Sequence, residues 1–276
     1  MTEGHHGVDP PAPSRRAAPS GGSQIEVMVL GPVRVRGLVR PFTRSAAMDL
    51  VVYLGMHPGG AANAAWASAL WPEREMAPTT LHSTASAARR ALGQARSGEE
   101  RLPHGHGRLR LSDSVVTDWA RFQTLSSSAD ESHWETALSL VRGRPFDGLA
   151  HGDWAVLEGF SAQVEEGVAH AACRLADAML ERHRPASAAA VARAGLRASP
   201  YDERLYRRLL VAADHQGNPA GVERVMAELL CQLDCLSPGA PRLAFDLEAV
   251  HPETACLYER LSRRRLRETG RGSIRQ

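Results

Sequence analysis

The chain contains no lysine; all 33 of its basic side chains are arginine. Alanine and glycine are abundant as well, so this reads first as the codon bias of a GC-rich genome, and only weakly as arginine-specific chemistry. Cysteine is scarce: Cys173, Cys231, Cys235 and Cys256. All four fall in helical patterns, which suits reduced, buried thiols in a cytosolic protein. Cys231 and Cys235 lie one helical turn apart, but no second pair with ligand spacing follows, so no metal is expected. No stretch approaches the ~20 apolar residues of a membrane span. The N-terminus lacks an apolar signal core, so a cytoplasmic protein with no membrane contact is expected. Also missing are a phosphate loop of the form G-x-x-x-x-G-K-S/T, an H-E-x-x-H and a G-x-S-x-G. Asp153, Glu165, Glu166 and His170 share one helical stretch and read as surface charge. The expectation is a protein that is not an enzyme and needs no cofactor.

What is present is an uneven distribution of charge over 276 residues, a length that fits two domains. Residues 24–117 hold eleven arginines against seven acids, residues 118–258 thirteen against twenty, and residues 259–276 seven against two. A basic front, an acidic middle and a basic tail point to one region facing a polyanion and another with a different task.

Residues 1–23 are rich in Pro, Gly and Ser and form an expected disordered tail. Order begins at Gln24. IEVMVLGPVRVRG reads as two short strands around Gly31–Pro32, and Val39 with Phe42 suggests a third. Residues 46–57 form a helix with Ala47, Leu50, Val51 and Leu54 on one face. Asn63 is the expected cap of a second helix that runs to Trp71. RLRLSDSVVTD reads as a hairpin turning at Ser112–Asp113. His104–Gly105–His106 and His5–His6 lie among Gly and Pro and read as solvated loop.

Between the second helix and the hairpin lies TTLHSTASAARRAL, residues 79–92. As a helix it aligns Leu81, Ala85, Ala88 and Leu92 on one face. Thr79, Ser83, Ser86 and Arg90 line the opposite face, with His82 and Arg89 on a flank. Pro78 suits its first turn and Gly93 its stop. A slim apolar face backed by hydroxyls and arginines, with no acid, fits a DNA groove. Three helices and a hairpin make a winged helix, in which the third helix reads the groove and the wing touches backbone. Arg108 and Arg110 alternate onto one face of that hairpin.

From Asp118 the pattern becomes consecutive helices, one of them long, Trp154 to Glu181. His183-Arg-Pro-Ala lines up with Gly217-Asn-Pro-Ala at an offset of 34 residues, the period of tetratricopeptide repeats. Such stacked helix pairs leave a concave surface.

Several phrases together, VLGPVRVRG, LVVYLGMHPGG, ALWPE, ASAARRALG, YDERLYRRLLVAADHQGNPAGV and HPETACLYERL, resemble the actinobacterial SARP-type regulators. Those carry a response-regulator-like winged helix followed by a bacterial transcriptional activator domain. The resemblance runs from Ile25 to about Ser262 and is nearest to versions at the C-terminal end of larger proteins with membrane spans and a LysM module. It implies a mainly α chain: an N-terminal winged helix-turn-helix of α+β type, residues 24–117, then an all-α tetratricopeptide-like domain, residues 118–262, and an arginine-rich tail, residues 263–276. Double-stranded DNA is the implied partner of the first domain; RNA polymerase, another protein or a second copy is that of the second. Arg89 and Arg90 match paired arginines of the family, while Ala88 stands where leucine is usual. Phosphate contacts are expected from Arg89, Arg108, Arg110 and Arg44, and base-edge contacts from Ser83, Ser86 and Arg90, with Thr79 on the same face. The competing reading is a protein-interaction module whose winged helix does not grip DNA.

Overall fold

Every second residue of Ile25–Met28 (β1) is β-branched and apolar, and Ile25 and Val27 are fully buried. β1 pairs antiparallel with Arg34–Arg36 (β2) and parallel with Val115–Thr117 (β5), so it forms the middle of a three-stranded sheet. A parallel neighbour requires a crossover, and this crossover contains the three helices: Ser45–Met56 (α1), Asn63–Leu70 (α2) and Pro78–Leu92 (α3). The computed structural model describes residues 24–105, 107–234 and 247–272. The expected disordered tail, His106, Cys235 and Arg275 lie outside the described residues.

The expected hairpin at Ser112–Asp113 does not form. Arg108–Leu109 (β4) pairs instead with Ala61–Ala62 (β3), directly before α2. Gly60 explains the choice: at φ +74° it passes so close to the Leu109 carbonyl that a Cβ would stand 2.4 Å from it. The Arg108 guanidinium donates to the Gly59 and Gly60 carbonyls of the same turn. The β-branched run of β5 is drawn to β1, and Ser112–Asp113 becomes a connection between two sheets. No third strand forms at Val39 and Phe42; the Val39 and Arg40 amides donate to the Ala91 carbonyl at the end of α3. Asn63 does not cap α2 but accepts from the Trp66 indole.

The second unit is helical: Asp118–Ser126 (α4), Glu131–Ser139 (α5), Asp153–Leu157 (α6), Phe160–Glu181 (α7), Pro185–Ala198 (α8), Glu203–His215 (α9), Pro219–Asp234 (α10) and Pro252–Gly272 (α11). The expected long helix from Trp154 is broken at Gly159, whose φ of +80° is left-handed. The 34-residue offset holds at the level of single hydrogen bonds. His183 and Gly217 both take positive φ, 54° and 61°. The next amides, Arg184 and Asn218, reach back to the Met179 and Ala213 carbonyls at 2.8 and 3.0 Å. Each turn ends on the proline that starts the following helix. α7, α8, α9 and α10 then stack in chain order, as tetratricopeptide-like units do.

Two clusters join the units. Asp118, fully buried at the start of α4, accepts from the Val29 and Leu30 amides at 2.7 and 3.2 Å and from Arg142 at 3.2 Å. Burial pushes its carboxyl above the ordinary range, against the pull of those donors. Arg142 also donates to the Pro32 carbonyl at 2.6 Å. The second cluster uses one face of α1 and the residue that caps it: Asp49, Tyr53 and His57 recur every four residues. His151 bonds Asp49 at 2.6 Å, and His57 lies 2.9 Å from the Glu158 carboxylate. Between them Tyr53 meets Trp154 edge-on at 4.9 Å. Burial, helped by the Glu158 charge, pushes the Tyr53 hydroxyl up to about 12.

Candidate nucleic-acid interface

α3 is built from small residues on its inner side. Thr84, Ala85, Ala87, Ala88, Ala91 and Leu92 are buried, which lets the helix lie against α1. Leu81, expected inside, is only half-buried. Pro78 occupies the first turn, and Gly93, at φ +63°, ends the helix. Arg101, almost wholly buried, donates to the Leu92 carbonyl at 2.8 Å and satisfies one of the open carbonyls of the last turn.

The outer face presents Thr79, His82, Ser86 and Arg90, all exposed. His82, placed on a flank by the helical count, lies in this row. Ser83 is half-buried for a specific reason: its hydroxyl donates to the Thr80 carbonyl at 2.9 Å and accepts from Arg44 at 2.8 Å. Arg44 sits just before α1, so this bond fixes an arginine beside the middle of α3. Arg40, which sequence reasoning missed, is carried to the far end of α3 by its backbone bond to Ala91. From Met76 to Gly98 there is no acidic residue.

The remaining arginines divide. Arg89 is half-buried, and its Nε donates to the Leu102 carbonyl at 2.9 Å. Burial lowers its pKa, partly countered by Glu100. Arg108 is exposed, yet three of its donor contacts go to the turn before α2, at 2.9 to 3.2 Å. Arg110 is exposed and pairs loosely with Asp113 at 3.3 Å. Thr79, Ser83, Ser86, Arg90 and Arg44 are therefore brought together on one surface. Arg89 and Arg108 are anchored to loops, and Arg110 lies on β4's continuation beyond the second sheet. Among the described residues no group of three or more His, Cys, Asp or Glu side chains is placed to hold a metal ion. No helix there is long and apolar enough to cross a membrane.

These elements define a winged helix-turn-helix unit followed by tetratricopeptide-like helices. Residues 117–234 match the model of the bacterial transcriptional activator domain. No curated protein matches the chain. Among solved structures the chain is similar to EmbR of Mycobacterium tuberculosis, determined in complex with a low affinity phosphopeptide: TM-score 0.59 at 22% identity, over 87% of this chain and 65% of that one. The chain thus spans slightly less than two thirds of the length of the EmbR chain it resembles.

Proposed function

We propose that the chain is a cytoplasmic DNA-binding transcriptional regulator of the SARP type, with α3 entering the major groove of double-stranded DNA. The observation that carries this reading is the outer face of α3: hydroxyls, an imidazole and an arginine in one exposed row, free of acid and flanked by Arg44. Ser83, Ser86 and Arg90 are assigned to base edges, with Thr79 at the entering end. Arg44 and Arg110 are assigned to phosphates, joined by Arg40. Arg89 and Arg108 take part through the guanidinium donors their loops leave open, and their first task is to hold the surface in shape. The helical domain, residues 118–262, is assigned to contacts with RNA polymerase or with a second copy.

The test is fluorescence anisotropy with the DNA upstream of the protein's own operon, against random duplex, over a series of salt concentrations. The wild type is expected to prefer its own upstream region and to weaken steeply as salt rises. Arg44→Ala/Arg90→Ala is expected to lose that preference. Equal affinity for both duplexes, or a variant that binds as the wild type does, contradicts the assignment.

A further inference from the structure

At the junction of the two units lies an open cleft of about 370 Å³, between the end of α2 with its following loop and the start of α6. It falls at the small end of the range of ligand pockets, and an interface between two units is a usual place for one. Trp71 forms one wall. His151 forms another, its ring edge-on to the indole at 5.9 Å. The His151 ring is fixed from behind: Nδ1 meets the buried Asp49 carboxylate at 2.6 Å, and Nε2 has no hydrogen-bond partner among the described residues. A carboxylate on one ring nitrogen sets the tautomer and direction of the other.

Three charged side chains complete the lining: Glu73, Arg74 and Asp153. None of them has an ion pair or a side-chain hydrogen bond among the described residues. On the helical stack, by comparison, Arg204 engages Asp202 and Glu166, Arg208 engages Asp177, and Arg182 engages Glu131. Charges of both signs that face one cleft without neutralising one another are complementary to a molecule carrying both signs.

We infer that this cleft is a binding site for a small zwitterion of amino-acid size. Its carboxylate is held by Arg74, its ammonium by Glu73 and Asp153, and its side chain lies against Trp71 under the His151 Nε2. The ligand bridges the two units, since Glu73 and Arg74 belong to the first and His151 and Asp153 to the second. The loop that carries Glu73 and Arg74 leads directly into α3. Occupancy therefore steadies the approach to that helix, a consequence that rests on the DNA-binding reading; the binding itself does not.

The experiment uses the full chain without DNA. The proteinogenic L-amino acids are added one at a time, read by thermal unfolding and by quenching of tryptophan emission. At least one is expected to raise the melting temperature saturably and to quench the emission. Arg74→Ala and Glu73→Ala/Asp153→Ala alter exposed side chains and leave folding intact. Each is expected to weaken binding by ~10- to 100-fold, the loss of the charge-assisted hold on one end of the ligand. The decarboxylated and N-acetylated forms of the active amino acid are expected to bind as weakly to the wild type. Trp71→Phe is expected to remove the quench while keeping the thermal shift. No amino acid shifting the melting temperature, a shift that survives both charge variants, or equal binding of the decarboxylated form overturns the inference. DNA binding measured on the same samples separates failure of this site from failure of the reading helix.

Discussion

Asp118→Ala is expected to loosen one of the two attachments between the helical unit and the first unit. The carboxylate is fully buried and accepts three hydrogen bonds, two from backbone amides of residues that are themselves fully buried. Removing it leaves the Val29 and Leu30 amides without a partner, at about 1–3 kcal/mol each. Arg142 suffers less, because it is partly exposed and keeps the Pro32 carbonyl. Part of the loss is offset: burial has already raised the Asp118 pKa, so relief of a desolvated charge returns something. The net expectation is about 3 kcal/mol. Asp118→Asn does not restore it, because the amide turns two N–H donors toward a site that supplies only donors. Urea unfolding followed by tryptophan emission gives the magnitude, and hydrogen exchange at Val29 and Leu30 gives the location. A loss below about 1 kcal/mol, or an Asn variant as stable as the wild type, refutes the assignment of Asp118 as a pin between the units.

Other consequences follow from single contacts. Gly195→Ala puts a Cβ 2.7 Å from the Ala172 Cβ and 2.8 Å from a Leu205 methyl, so an overpacking loss of about 1–3 kcal/mol is expected in thermal unfolding. Arg89→Gln and Arg90→Gln should separate: the first loses about 1 kcal/mol of stability with its bond to Leu102, the second less than about 0.5 kcal/mol while DNA affinity falls. Asp49 titrates above its ordinary value of 3.8 because burial disfavours the charge, in spite of His151. The folded state therefore binds this proton at higher pH than the unfolded chain does. The Asp49 contribution to stability is greatest in acid and is lost as pH rises through the raised pKa. Subtracting the stability of Asp49→Asn from that of the wild type, pH by pH, should give a difference that becomes more favourable to the wild type as pH falls.

The parts of this structure that repeat or alternate were readable in the sequence. The alanine face of α3 follows from a 3.6-residue period, and the helical repeat from two prolines 34 residues apart. The row Thr79, Ser86 and Arg90 was legible for the same reason, since its members are set by one helix alone. What failed depended on partners far along the chain. Strand β5 has the pattern of a hairpin arm, yet its partner β1 lies about ninety residues earlier, and no local signal distinguishes the two pairings. Asp49 sits in an apolar helix as an unexplained acid until His151 arrives from the second unit. Arg89 and Arg108 carry the same charge as Arg90, and only the neighbouring carbonyls reveal that their guanidinium groups are held by loops. Gly159 looks like any tolerated helix glycine until its left-handed φ breaks α6 from α7.

The central claim is that α3 reads base edges in the major groove, with Arg90 among the readers. Methylation of guanine N7 blocks only that groove, so methylation interference on the bound upstream duplex tests it directly. The account predicts strong interference at one or more guanines for the wild type. For Arg90→Ala, interference at a guanine should vanish along with about 1–3 kcal/mol of affinity. Binding indifferent to N7 methylation, or an interference pattern that Arg90→Ala leaves unchanged, would contradict it.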